Sequence, residues 1–223
     1  MAQWEVLSVG RHRGLRFDPA ARVPRQFAQI VASEFAPAAL DHPILFTKRA
    51  DTGAFYAGAL LSLVAGESPL AGTFRPADVE REGFFVDAER IVIDRAHPQF
   101  GAAEGEPLFD PEGSPSPSLR HVQRALARLD AGLATTDQLV QRLLQVGVIE
   151  PIDISLSFDS GEKLVLQDLY TVSLDALRDL SDQDALALLR EGDLQLCYIQ
   201  AQSVGHIRRM AQRRNDQLAA APV

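Results

Sequence analysis

The imidazole and thiol side chains that could act as metal ligands, bases or nucleophiles are few in this chain and widely spaced. The five histidines, His12, His42, His97, His121 and His206, stand far apart, and Cys197 is the one cysteine. The densest grouping is Asp94, His97, Glu104 and Glu106. Imidazole and carboxylate donors on a loop that folds back on itself are what a divalent metal would take, and this spacing permits such a site without requiring it. His42 and His97 each precede a proline, as histidines in turns or at the surface do. His121 and His206 lie near arginines, a poor setting for a bound cation. Cys197 sits in the apolar run Leu194-Gln-Leu-Cys-Tyr-Ile199 and reads as a small buried hydrophobe rather than a reactive thiol. The chain has no Gly-x-x-x-x-Gly-Lys-Ser/Thr loop, no Gly-x-Gly-x-x-Gly after a strand, no Gly-x-Ser-x-Gly elbow and no His-Glu-x-x-His. The common nucleotide, serine-hydrolase and zinc-protease motifs therefore find no support, and neither does the His-x-Asp/Glu opening of a facial-triad iron site.

The elements that would position these groups belong to an ordinary globular composition: 223 residues, 46% hydrophobic and 23% charged. The formal net charge of -8 disfavours a generic binder of phosphate backbones, so no nucleic-acid partner is expected. One cysteine excludes an internal disulfide. No basic segment followed by a long apolar one opens the chain, and a cytoplasmic location is expected. The apolar run Phe55–Ala65 is too short to span a bilayer, which takes about 20 residues.

The spacing predicts a strand over 4–9, then a helix starting near Pro24 with Phe27, Ile30, Val31 and Phe35 as its stripe and Glu34 at its rim. Ile44–Lys48 and Phe55–Leu63 read as a hairpin turned by Asp51-Thr-Gly53. A short helix after Pro76 and strands at 84–86 and 90–94 follow. The acidic, Gly/Pro-rich stretch 96–118 reads as a long loop pinned by Leu108 and Phe109. Two helices are expected next, 119–129 with Ser118 as N-cap and 137–145 with a Thr135/Gln138 capping box, ended by Gly147. Clean alternation makes 152–158 and 163–167 a second hairpin. Helices at 174–180 and 181–189, a strand at 194–200 and a closing helix at 204–218 complete the chain. Without regular strand–helix alternation, the expected class is α+β: one domain over 1–223 with a mostly antiparallel sheet and helices packed against it.

Several segments, in order, resemble the SapC family of bacterial proteins. They are Val23-Pro24 with Glu34-Phe35, His42-Pro-Ile-Leu-Phe46, Gly66-Glu67-Ser68, Glu104-Gly-Glu-Pro-Leu-Phe109, Leu174-Asp-Ala-Leu-Arg-Asp-Leu-Ser181, Gly192-Asp-Leu194 and Ser203. The similarity runs from about residue 11 to about residue 214, and the Glu104–Phe109 loop is its most specific part. Where the family carries an aromatic and arginine block, this chain has Phe74-Arg-Pro-Ala-Asp-Val-Glu-Arg-Glu-Gly-Phe84, keeping Arg81 and Phe84 while acidic residues replace others.

The resemblance implies an accessory role. The family's name reflects surface layers, and its members look to be encoded beside flavin-dependent halogenase-like proteins, JmjC/cupin-like oxygenases and TonB-dependent receptors. The expected function is that of a cofactor-free accessory or binding protein working with a peptide- or substrate-modifying enzyme system. Its partner would be a protein or peptide, such as a halogenase-like or JmjC/cupin-like protein. The candidate binding residues are Glu34, Arg75, Arg81, Phe84, Glu104, Glu106 and Phe109. The alternatives are a metal-dependent enzyme built on His97, Glu104 and Glu106, and a structural protein of the surface layer.

Overall fold

The computed structural model describes residues 3–67, 74–101 and 105–220. In chain order its strands are β1 (Trp4–Val6), β2 (Arg16–Phe17), β3 (Phe27–Gln29), β4 (Ile44–Lys48), β5 (Phe55–Leu60), β6 (Phe84–Asp87), β7 (Arg90–Asp94), β8 (Glu106–Pro107), β9 (Ile149–Pro151), β10 (Ile154–Ser157), β11 (Lys163–Leu166) and β12 (Tyr170–Val172). Its helices are α1 (Val9–His12), α2 (Phe35–Ala38), α3 (Ala77–Glu80), α4 (Pro117–Gln145), α5 (Leu174–Arg178), α6 (Asp182–Glu191), α7 (Asp193–Ser203) and α8 (His206–Ala220). Every strand pairing is antiparallel, and the class is α+β as the sequence implied. No helix among the described residues is long and apolar enough to cross a membrane.

The chain divides into two compact units. The first takes Met1–Pro24 and Ala77–Ala131. Its sheet has the order β1-β7-β6, and β2 pairs separately with β8. The core gathers Phe17, Phe84, Ile93, Phe100, Leu108, Phe109, Leu119, Val122 and Leu126, with three aromatic rings meeting edge-on or tilted. Leu119, Val122 and Leu126 form the expected apolar face of α4. The cap of that helix is Ser116, whose Oγ accepts from Leu119 N–H at 3.2 Å. Ser118 lies inside the first turn instead, because Pro117 suits the first helical position.

The second unit takes Arg25–Pro76 and Gly132–Val223. Its five-stranded sheet has the order β3-β5-β4-β12-β9, and β10 and β11 make a separate hairpin. Ile44, Leu45 and Phe46 on β4 are all buried, as in a central strand covered on both faces. Helix α7 is tied to that strand through side chains. Ser203 Oγ accepts from Ile44 N–H at 2.8 Å, and Gln200 Nε2 donates to Ile44 O at 2.7 Å. Gln200 Oε1 also accepts from Val172 N–H on β12 at 2.9 Å.

Four local expectations are corrected here. Residues 27–29 form strand β3, not a helix, in register with β5 from Phe27↔Leu60 to Gln29↔Gly58. Gly58 makes that pairing possible: a Cβ on it would lie 2.1 Å from the Phe27 ring. Residues 117–145 form one helix, not two. The apparent break at Gly132 is a packing site, since a Cβ there would come within 2.6 Å of Val31. Thr136 Oγ1 donates back to Gly132 O at 2.6 Å and accepts from Ala32 N–H at 2.8 Å, tying that contact together, while Thr135, expected to cap a second helix, lies inside the continuous α4. Residues 194–200 belong to helix α7 and not to a strand. Its buried positions, Asp193, Cys197, Gln200 and Ser203, follow helical spacing but are mostly polar, so hydrophobic alternation in the same run hides the helix. Glu34 is buried, not at a rim: it ends the 3-10 turn Ala32–Glu34, and Val31 N–H donates to its Oε2 at 3.2 Å.

A candidate peptide groove on the second unit

An open groove of about 510 Å³ lies on the second unit. Phe27, Tyr56, Leu60, Leu63 and Val64 line it on the sheet side, and residues 164–167 with Leu169 line the side of the β10–β11 hairpin. Phe27 comes from β3, Thr47 from β4, Tyr56 and Leu60 from β5, and Leu164, Val165 and Leu166 from β11, so the floor is one face of the sheet beside the hairpin. β3 ends the five-stranded sheet, and β11 has β10 as its one strand partner among the described residues. Backbone at a sheet edge keeps hydrogen-bonding capacity for an added extended chain. Val165 on β11 is 57% exposed, a large apolar side chain held out at the groove.

The groove walls are held firmly. On the hairpin side, Ile154, Phe158 and Leu166 pack with Ile207 and Met210 of α8 and with Leu45, Leu60 and Leu63. Arg214 of α8 donates from Nη2 to both oxygens of Glu162 at 2.8 and 2.9 Å, pairs with Glu67 through Nη1, and covers the Phe158 ring at 5.2 Å. The Asp159 N–H donates to Asn215 Oδ1 at 3.1 Å. On the sheet side, Phe27 and Tyr56 meet edge-on with centroids 6.0 Å apart, and Arg49 covers the Tyr56 ring. Gln26 Nε2 donates to Leu63 O at 2.8 Å, and Thr47 Oγ1 donates to Asp168 O at 2.9 Å. An apolar floor on a sheet face beside the β11 edge, with polar groups already satisfied at its rim, can accept an extended chain with apolar side chains.

The residues singled out in the sequence are dispersed by comparison. Glu34 and Arg75 belong to the second unit, the first buried and the second exposed. Arg81, Phe84, Glu106 and Phe109 belong to the first. Phe84 and Phe109 are core residues. Arg81 pairs with Asp78 through Nη2 and through Nε at 3.0 Å, donates from Nη1 to Phe84 O at 3.2 Å, and stacks over Phe85. The acidic substitution at Asp78 thus engages that guanidinium within the protein. Glu104 and Ser68 lie outside the described residues.

Residues 105–109 of the Glu104–Phe109 loop are anchored, as the Leu108-Phe109 pair suggested. Leu108 is fully buried, and β8 pairs with β2 as Phe17↔Glu106. Gly105 is required by close approach, because a Cβ would sit 2.9 Å from the Phe17 backbone. Arg16 Nη1 donates to Gly105 O at 2.7 Å, and Ser118 Oγ donates to Glu106. His97 faces Glu82, with Nε2 3.7 Å from Oε1. Among the described residues no group of three or more His, Cys, Asp or Glu side chains is arranged to hold a metal.

His42 and His206 are framework residues. His42 is buried, not a surface turn residue as its proline neighbour suggested, and its Nε2 lies 3.4 Å from Phe74 O. Burial is the main cause that pushes its pKa below 6.5. His206 Nε2 lies 2.7 Å from Ala39 O, with Arg209 beside it as the sequence indicated. Burial pushes the Cys197 thiol up to about 12, as expected of a structural cysteine.

Fold and site together define an α+β protein with an open groove between a sheet face and a β-hairpin. The SapC family model matches residues 7–210, and the chain belongs to the SapC family. Comparison with curated proteins and with solved structures gave no significant match. Sequence reasoning missed the groove because its lining is scattered, at 26–27, 47, 56, 60, 63–65, 164–167 and 169. The one available signal was the exposed Val165 in the clearly alternating hairpin.

Proposed function

We propose that this protein is a non-catalytic accessory protein that binds an extended peptide segment for a peptide- or substrate-modifying enzyme system. The observation that carries the reading is the apolar groove between the sheet face that bears Phe27, Tyr56 and Leu60 and strand β11 of the hairpin, which has β10 as its one strand partner among the described residues. Such a surface takes affinity from main-chain hydrogen bonds along a strand edge and specificity from pockets for alternate side chains. The partner in this reading is a halogenase-like or JmjC/cupin-like protein, or that enzyme's peptide substrate.

The test is binding of purified neighbouring enzymes and their peptide substrates, measured by biolayer interferometry on wild type and on Val165→Asp. A charge on an exposed side chain leaves the fold intact while spoiling an apolar contact, so the expected result is a loss of about tenfold or more in affinity. Absence of binding by all of these partners, or equal binding by Val165→Asp, refutes the reading.

A further inference from the structure

The first unit carries an opening of a different chemical kind. A polar cleft of about 630 Å³ is lined by Glu5, Arg11, His12, Leu15, Arg16 and Arg95, with glycines completing it. Three guanidinium groups therefore stand around one carboxylate, in a chain whose formal net charge is -8.

That carboxylate is already engaged. The Ser8 N–H donates to His12 Nδ1 at 3.0 Å, which leaves Nε2 as the donor to Glu5 Oε2 at 3.1 Å. Glu5 Oε1 lies 4.0 Å from Arg95 Nε. The buried histidine thus orients Glu5, and Glu5 orients Arg95. Of the three arginines, Arg16 uses Nη1 on Gly105 O. Arg95 Nη1 is shielded from solvent and has no hydrogen-bond partner among the described residues. Arg11 is exposed in the last turn of α1. Donor capacity in the cleft exceeds what its own acceptors use. Guanidinium forks match the paired oxygens of carboxylate and phosphate groups, and one held by a second ion pair loses less freedom on binding.

We propose that this cleft is an oxyanion-binding site that takes the carboxylate or phosphate group of a small ligand. Arg11 and Arg95 contact the anion, while Glu5, held by His12, positions Arg95. The site lies wholly within the first unit and does not depend on the peptide groove of the second.

Isothermal titration at constant ionic strength tests it, with inorganic phosphate and succinate as separate probes and chloride as the counter-ion control. Wild type is compared with Arg11→Gln and Arg95→Gln, each checked for an unchanged melting profile. Arg11→Gln removes an exposed side chain with no internal partner, so at least that variant keeps the fold. The expected result is saturable binding of one probe, weakened about tenfold or more in each variant, as loss of a charge-assisted pair implies. Whichever probe binds identifies the oxyanion. Failure of both probes to saturate, or binding that Arg11→Gln and Arg95→Gln leave unchanged, overturns the proposal.

Discussion

Removing the Arg214 side chain is expected to loosen one wall of the groove without unfolding the protein. Its guanidinium is the hub between α8 and the hairpin: a two-oxygen pair with Glu162, a second pair with Glu67 and a stack on Phe158. Hydrogen bonds to charged groups contribute about 1.5–3 kcal/mol, and a cation–π contact about 0.5–1 at partly exposed sites. Glu162 and Glu67 are 38% and 40% exposed, so in Arg214→Ala both carboxylates recover water and the ionic part shrinks. A net local loss of about 2 kcal/mol remains after that discount. Converted at about 1.4 kcal/mol per decade, this is an opening equilibrium for the hairpin shifted about 30-fold. Hydrogen exchange read by mass spectrometry over 154–166 should accelerate by that factor, while peptides from β6 and β7 keep their rates. Unchanged exchange in the hairpin would show that apolar packing by Ile154, Phe158 and Leu166 alone holds the wall, and the reasoning would fall.

Two further outcomes follow from buried titratable groups. His42 has a folded pKa below 6.5, caused first by burial, so at lower pH the unfolded chain binds the extra proton. The stability it contributes is present above pH 6.5 and is lost progressively as pH falls from there toward the folded value. Urea midpoints should decline over that window, and His42→Gln should flatten the decline; equal slopes for both proteins would refute the assignment. Cys197 is buried with its pKa raised to about 12, mainly by desolvation, so a thiol reagent at pH 8 should label it only after denaturant is added. Fast labelling of the folded protein would contradict that burial.

Much of the local structure is legible along the chain because the controlling physics is short in range. The β10–β11 hairpin shows period-two alternation and Gly161 in its turn, and α6 shows Ser181 at its start and Gly192, with φ 80°, at its end. The hairpin β6–β7 is harder to read, because its turn residues Ala88 and Glu89 adopt positive φ without a glycine. For β3, the Phe27, Ile30, Val31 and Phe35 spacing fits a helix, but pairing with β5 across Gly58 is what the surroundings reward.

The candidate site divides along the same line. Sequence by itself determined the α+β class, the family, the buried character of Cys197 and the anchoring role of Leu108 and Phe109, since each rests on composition, alternation or contiguous motifs. Tertiary structure alone decided which polar residues face inward and which stretches meet. It turned Glu34, Arg81 and Gln200 into internal partners of backbone or carboxylate. It also assembled the groove from residues that lie over a hundred positions apart, such as Phe27 and Leu166. Contacts at that separation depend on which strands pair and which edges stay open, and the pairing is set by the packing of the whole unit, which no local pattern encodes.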